Sequence, residues 1–130
     1  MVFVPKILKD IWVLTDSGIV LFSKMYDQKV NTQLFGALMS ALNKFAEALS
    51  DGGISSFEKS DLRYVIMKRR KFLFIGSSLK KTKEKKVIDE LKQISDIFFR
   101  IYAKNLINWD SDVSIFSGFG DYIDKSLEKQ

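Results

Sequence analysis

The chain contains no cysteine and no histidine. Without cysteine there is no disulfide scaffold, no thiol nucleophile and no thiolate metal site. Without histidine there is no Ser-His-Asp triad, no Cys-His dyad and no imidazole zinc ligand, and the commonest general base is missing. Proline occurs once, at Pro5, so no interior element is broken by one. No apolar run approaches the roughly 18 residues that a membrane span needs. Met1 to Lys9 holds no apolar core of signal-peptide length. What is present is 130 residues, 46% hydrophobic and 28% charged, ordinary usage for a single globular domain. The expectation is one domain over 1–130, soluble and cytoplasmic, with Lys, Asp and Glu the catalytic groups still open to it.

Lys9 to Thr15 and Ile19 to Tyr26 are rich in β-branched, aromatic and apolar residues, as strands are. Asp16-Ser17-Gly18 between them is a short polar turn in which Gly18 can take φ > 0. Ile11 to Leu14 and Ile19 to Phe22 are apolar at every position, which suits a sheet covered on both faces. Asn31 or Thr32 can cap a helix whose stripe is Leu34, Phe35, Leu38, Leu42, Phe45, Ala46 and Leu49. Asp51-Gly52-Gly53 stops that helix. Ile54 to Asp61 is a polar strand suited to an edge, and Leu62 to Arg69 alternates. A basic turn then leads to Phe72-Leu73-Phe74-Ile75, ended by Gly76-Ser77-Ser78. Lys83 to Tyr102 is a second helix. Its stripe is Val87, Ile88, Leu91, Ile94, Phe98, Ile101 and Tyr102, with Glu90 among the polar residues outside it. A third helix is expected from Asp110 or Ser111 through Ile115, Phe116, Phe119, Ile123 and Leu127, weakened by Gly118 and Gly120. The order is β-β-α-β-β-β-α with a further α: an α+β fold, a five-stranded antiparallel sheet (hairpin plus three-strand meander) with helices on both faces.

Lys+Arg number 21 against 16 Asp+Glu, a net charge of +5. Nine of those cations lie between Lys68 and Lys86, against Glu84 alone, so the rest of the chain is net acidic. The run falls into two clusters, Lys68 to Lys71 and Lys80, Lys81, Lys83, Lys85 and Lys86. A strand of four or five residues would hold them roughly 15 Å apart. An anionic partner is one reading: lipid headgroups, phosphates or an acidic protein surface. A solvated face that maintains solubility is the other. Phe72 and Phe74 belong to the core pattern, so bases have no stacking platform and nucleic acid is disfavoured. Gly76-Ser77-Ser78-Leu79-Lys80-Lys81 sits between a strand and a helix as a phosphate loop would, but it lacks the second glycine and the Gly-Lys-Ser/Thr ending. The carboxylates Asp10, Asp16, Glu47, Asp51, Glu58 and Asp61 show no paired spacing, and no calcium-loop pattern is present. No metal or other cofactor and no enzymatic activity are expected. Trp109 lies between helices, where it could plug the end of the domain or anchor a partner.

The run Ile11-Trp12-Val13-Leu14-Thr15-Asp16-Ser17-Gly18-Ile19, the helix start Gln33-Leu34-Phe35-Gly36-Ala37-Leu38 and Phe72-Leu73-Phe74-Ile75-Gly76 before a lysine-rich helix entrance together resemble the longin (SNARE-like) family. The resemblance runs from about Asp10 to Tyr102, and the chain is similar to the small stand-alone longin proteins of archaea. The roadblock fold is the near alternative. It commonly opens with a helix, which the short Met1 to Lys9 with Pro5 disfavours. The resemblance implies a non-catalytic interaction module that binds a small Ras-like GTPase or another longin- or roadblock-like subunit, in membrane traffic or GTPase regulation. A homodimer and a peripheral place at a membrane surface are both compatible with it. The surfaces then expected to carry partners are the exposed side of the first helix, Lys44 and Glu47, and the second strand through Leu21, Ser23, Met25 and Tyr26, because an apolar edge invites pairing. The anion-binding candidates are Lys80, Lys81, Lys83, Lys85 and Lys86.

Overall fold

Gly18 sits at φ +98°, a conformation only glycine adopts without strain. It lets the chain reverse between β1 (Asp10–Thr15) and β2 (Val20–Met25), which pair antiparallel. In the computed structural model, which describes residues 7–25, 44, 49–59, 61–107, 109–110 and 112–123, three more strands follow. They are β3 (Ile54–Lys59), β4 (Leu62–Arg69) and β5 (Phe72–Leu79). They pair as an antiparallel meander, and β5 also pairs antiparallel with β1. The sheet order is β2-β1-β5-β4-β3, with β2 at one edge and the polar β3 at the other.

Every residue of β1 is buried, for the reason its unbroken apolar run suggests. Ile11 and Val13 face one core, with Leu21, Val65, Met67 and Phe74. Trp12 and Leu14 face the other, with Tyr64, Ile66, Leu73 and Ile75. The first core is covered by α1 (Glu84–Ile107), which buries Val87, Leu91, Ile94 and Phe98. Each such side chain contributes about 1.5–3 kcal/mol on leaving water. Leu49 packs against the second core. The helix expected over 31–49 lies outside the described residues, except that Lys44 is helical and Leu49 follows it.

Three expectations are corrected. Gly76-Ser77-Ser78 does not end β5, which continues to Leu79. Gly76 is there because a Cβ would lie 2.5 Å from Leu8 Cδ2 and 3.1 Å from Leu91 Cδ2. Ser77 is there because its hydroxyl donates to the buried Asp10 carboxylate at 2.7 Å. Next, α1 continues beyond Tyr102 to Ile107. Finally, the third helix is not continuous: it is a 3-10 turn (Val113–Phe116) followed by a short α2 (Gly120–Ile123). Asp112 caps the 3-10 turn by accepting the Ser114 N–H at 2.9 Å. Phe116, Phe119 and Ile123 nevertheless all reach the first core. Their apolar spacing had the right contacts, while the helix breaks at 117–119, where Gly118 lies, and Gly120 opens α2.

Candidate interaction site

The β2 edge carries a bulge. Val13 pairs with Phe22 and Leu14 with Val20, so Leu21 has no opposite number. The bulge turns both Leu21 and Phe22 to the first core, where Phe22 meets the edge of Phe119 at 5.1 Å. Leu21 is therefore buried, and the 3-10 turn packs beside the strand. Ser23 is exposed on the same strand, and Met25 is its last residue. Lys44 is exposed on its helix, whereas Tyr26 and Glu47 lie outside the described residues. Of the expected partner residues, the structure thus brings Leu21, Ser23 and Met25 onto one edge strand.

Lys80, Lys81, Lys83, Lys85 and Lys86 are all exposed at the entrance to α1. The backbone beneath them is pinned. Arg63 Nη1 donates to the Thr82 carbonyl at 2.9 Å, and the Lys80 N–H donates to the Asp61 carbonyl at 3.2 Å. Glu58 faces Arg63 at 3.5 Å and Lys80 at 3.9 Å. The other four lysines have no carboxylate within ion-pair distance among the described residues. With eight residues, β5 separates this cluster from the β4–β5 turn by roughly 23 Å, more than the shorter expected strand allowed.

That turn is built differently. Arg69 pairs with Phe72, so Arg70 and Lys71 alone make the reversal, at φ 52° and 68°. Two left-handed residues in a two-residue hairpin suit Asn-Gly, and for non-glycine residues the conformation costs about 1–2 kcal/mol each. The turn is held by the Arg70 N–H donating to Asp51 Oδ1 at 2.8 Å and the Asp16 N–H donating to the Lys71 carbonyl at 2.9 Å. Arg69 Nη1 donates to Ser95 Oγ at 2.7 Å and Asp96 Oδ1 at 2.5 Å. Both guanidinium groups lie over Phe99, that of Arg70 at 4.8 Å and that of Arg69 at 5.2 Å from the ring centroid.

Two buried carboxylates do structural work. Glu90 accepts the N–H groups of Ile7 at 3.1 Å and Leu8 at 3.1 Å, so it is buried and not part of the outer face of α1 as expected. The signal was present: position 90 is three residues from Val87 and four from Ile94, on the stripe itself. Asp10 is fully buried beside Ser77. Trp109 packs against Phe116 at 5.6 Å and donates its indole N–H to the Asp112 carbonyl at 3.0 Å, closing the domain at the end of α1. No group of three or more acidic side chains gathers around a point where a metal could sit, among the described residues. No described helix is long and apolar enough to cross a membrane.

An open antiparallel sheet in the order β2-β1-β5-β4-β3, with α1 packed on one face and charge gathered at its two ends, is a fold of the longin class. The chain belongs to that family: the family model for the first longin domain of FUZ, MON1 and HPS1 matches residues 9–109. Longin domains are typically non-catalytic protein-interaction modules of trafficking and GTPase assemblies. No individual curated protein matches the chain.

Proposed function

We propose that this chain is a non-catalytic interaction subunit that binds a small Ras-like GTPase, another longin- or roadblock-like protein, or a second copy of itself. The observation that supports the reading most directly is β2 itself: it ends the sheet, exposes Ser23, and has no strand on its outer side among the described residues. Pairing along that edge would extend the sheet through backbone hydrogen bonds. The Leu21 bulge limits such pairing to the Ser23–Met25 end, because a bulge twists an edge away from a partner. Lys44, exposed on the first helix, is a second candidate contact, and Glu47 lies outside the described residues. The test is sedimentation of the chain alone and with candidate GTPases and longin proteins of its source organism. Ser23→Lys and Met25→Lys should abolish assembly while leaving the monomer folded. Unchanged assembly in both variants rules the edge out.

A second reading is favoured by the exposed lysine end. Lys80, Lys81, Lys83, Lys85 and Lys86 would hold the domain peripherally against an anionic lipid surface, at about 1 kcal/mol per lysine. Co-sedimentation with phosphatidylserine vesicles should then fall steeply between about 50 and 200 mM salt. Reversal of Lys80, Lys81, Lys85 and Lys86 to Glu should abolish it. Retained binding, or preference for an oligonucleotide over the vesicles, excludes this reading.

A further inference from the structure

We propose that the β4–β5 turn end of the sheet docks an acidic amphipathic segment of a partner protein, seating one of its apolar side chains in a groove beside Arg70 and a carboxylate against the Arg70 guanidinium. The groove is about 290 Å3 and is lined by Arg70, Phe72, Phe99, Ala103, Leu106 and Ile107. No carboxylate lines it, and Ile107 is 75% exposed. The site is apolar with one cation at its mouth, which is the complement of an apolar residue next to an acidic one.

The two arginines of the turn are not equivalent. The charge of Arg69 is already met by Asp96 and Ser95. The guanidinium of Arg70 rests on Phe99 with no carboxylate partner among the described residues. Its backbone N–H is held by Asp51, so the side chain starts from a fixed point on the turn. The backbone also carries strain there. Arg70 and Lys71 take left-handed conformations that Asn-Gly would take without cost. Strain of this kind gathers where a side chain is needed for binding. A protein segment is favoured over a lipid surface because the apolar residues line a recess that admits a side chain.

This surface shares no residue with the β2 edge, so failure of the edge reading leaves it standing. The discriminating variant is Arg70→Gly. Glycine fits φ 52° and removes the guanidinium, so it separates docking from folding. The probe is a short synthetic amphipathic peptide of Leu, Phe and Glu, with a counterpart carrying Lys at each Glu, followed by amide chemical shifts. The acidic peptide should perturb 70–72 and 99–107, the basic one should not, and Arg70→Gly should weaken binding about tenfold while the melting temperature stays or rises. Arg70→Glu should weaken it further. Absence of binding, equal binding of both peptides, perturbation confined elsewhere, or unchanged affinity in Arg70→Gly overturns the proposal. So does Arg70-dependent binding to phosphatidylserine vesicles without peptide binding, which assigns the surface to lipid.

Discussion

The carboxylate of Glu90 accepts the backbone N–H of Leu8 at 3.1 Å, across 82 residues of sequence. This one contact ties the segment entering β1 to the helix that covers the sheet. It also explains why a charged residue is tolerated on the buried stripe of α1. A buried carboxylate that receives backbone N–H groups is stabilised by hydrogen bonds to its charge, each stronger than a neutral one.

Replacing Glu90 tests that tie. Glu90→Ala leaves the Ile7 and Leu8 N–H groups without their acceptor and should cost about 2–3 kcal/mol, whereas Glu90→Gln keeps an acceptor oxygen and should cost about 1 kcal/mol. Urea denaturation of the two variants measures the difference. Equal losses would mean that side-chain volume, and not hydrogen bonding, holds the segment.

Gly76 and Leu8 form a second coupled pair. A Cβ at position 76 meets Leu8 Cδ2 at 2.5 Å and Leu91 Cδ2 at 3.1 Å, so two buried leucine side chains would have to give way. Gly76→Ala should destabilise by about 1–3 kcal/mol through overpacking. Truncating the neighbour relieves the clash, so the double variant with Leu8→Ala should lose less than the sum of the two single losses. Strict additivity in the double-mutant cycle would show that the contact is not what places glycine there.

Lys71 sits at φ 68° with its side chain exposed, so its backbone is strained and its side chain has little to lose. Lys71→Gly should stabilise the fold by about 1 kcal/mol, a rise of a few degrees in Tm for a domain of this size. A fall in Tm would show that the lysine has a stabilising contact in solution.

Tyr64 sets an alkaline limit. Burial, and then the charge of Asp10, raise its phenol above the usual value of 10.0, and burial does the same for Tyr102, helped by Tyr122 and Asp121. A raised pKa in the fold means that the folded state holds the proton longer. Stability from these groups is complete below pH 10 and is lost as pH rises through the folded values. The Tyr64 hydroxyl is buried with no hydrogen-bond partner among the described residues. Tyr64→Phe should therefore be neutral or stabilising at pH 7 and should flatten the alkaline loss of stability. Denaturation midpoints from pH 7 to about 11 check both halves.

Asp112 gives the acid counterpart. Hydrogen bonds from Ser114, first from its side chain and then from its backbone, lower the carboxyl pKa below 3.8. The capping contribution is present above the unfolded value and is lost as pH falls through the lower folded one. Because the Trp109 indole donates to the Asp112 carbonyl, its fluorescence should report loosening of the 3-10 turn in that acid range while β1 and α1 persist by circular dichroism. Asp112→Ala should show the loosened signal already at neutral pH.

Much of the architecture could be read from residue order alone. The unbroken apolar run Ile11 to Leu14 foretold a strand buried on both faces, and Gly18 foretold the turn. The alternation at Leu62 to Met67 foretold which side chains share a face. The β5 end was misread because Gly76-Ser77-Ser78 is a turn signal locally, while its reasons are distant: Leu8, Leu91 and Asp10. The lysine end was legible because charge needs no partner to be seen. The groove beside Arg70 was not, because its walls come from β5 and the C-terminal half of α1, about thirty residues apart.

Sequence by itself determined the class of fold: the element order and the residues from Ile11 to Ile19 and Phe72 to Gly76 already resembled a longin domain, and the missing cysteine and histidine narrowed the chemistry open to it. Periodicity and composition act residue by residue, so they survive in a linear reading. Tertiary structure alone decided the sheet order, the Leu21 bulge in β2, the burial of Asp10, and the strained turn that sets Arg70 on Phe99. Each of these depends on which distant groups come into contact, and on a buried polar atom finding its partner there, which no local pattern encodes.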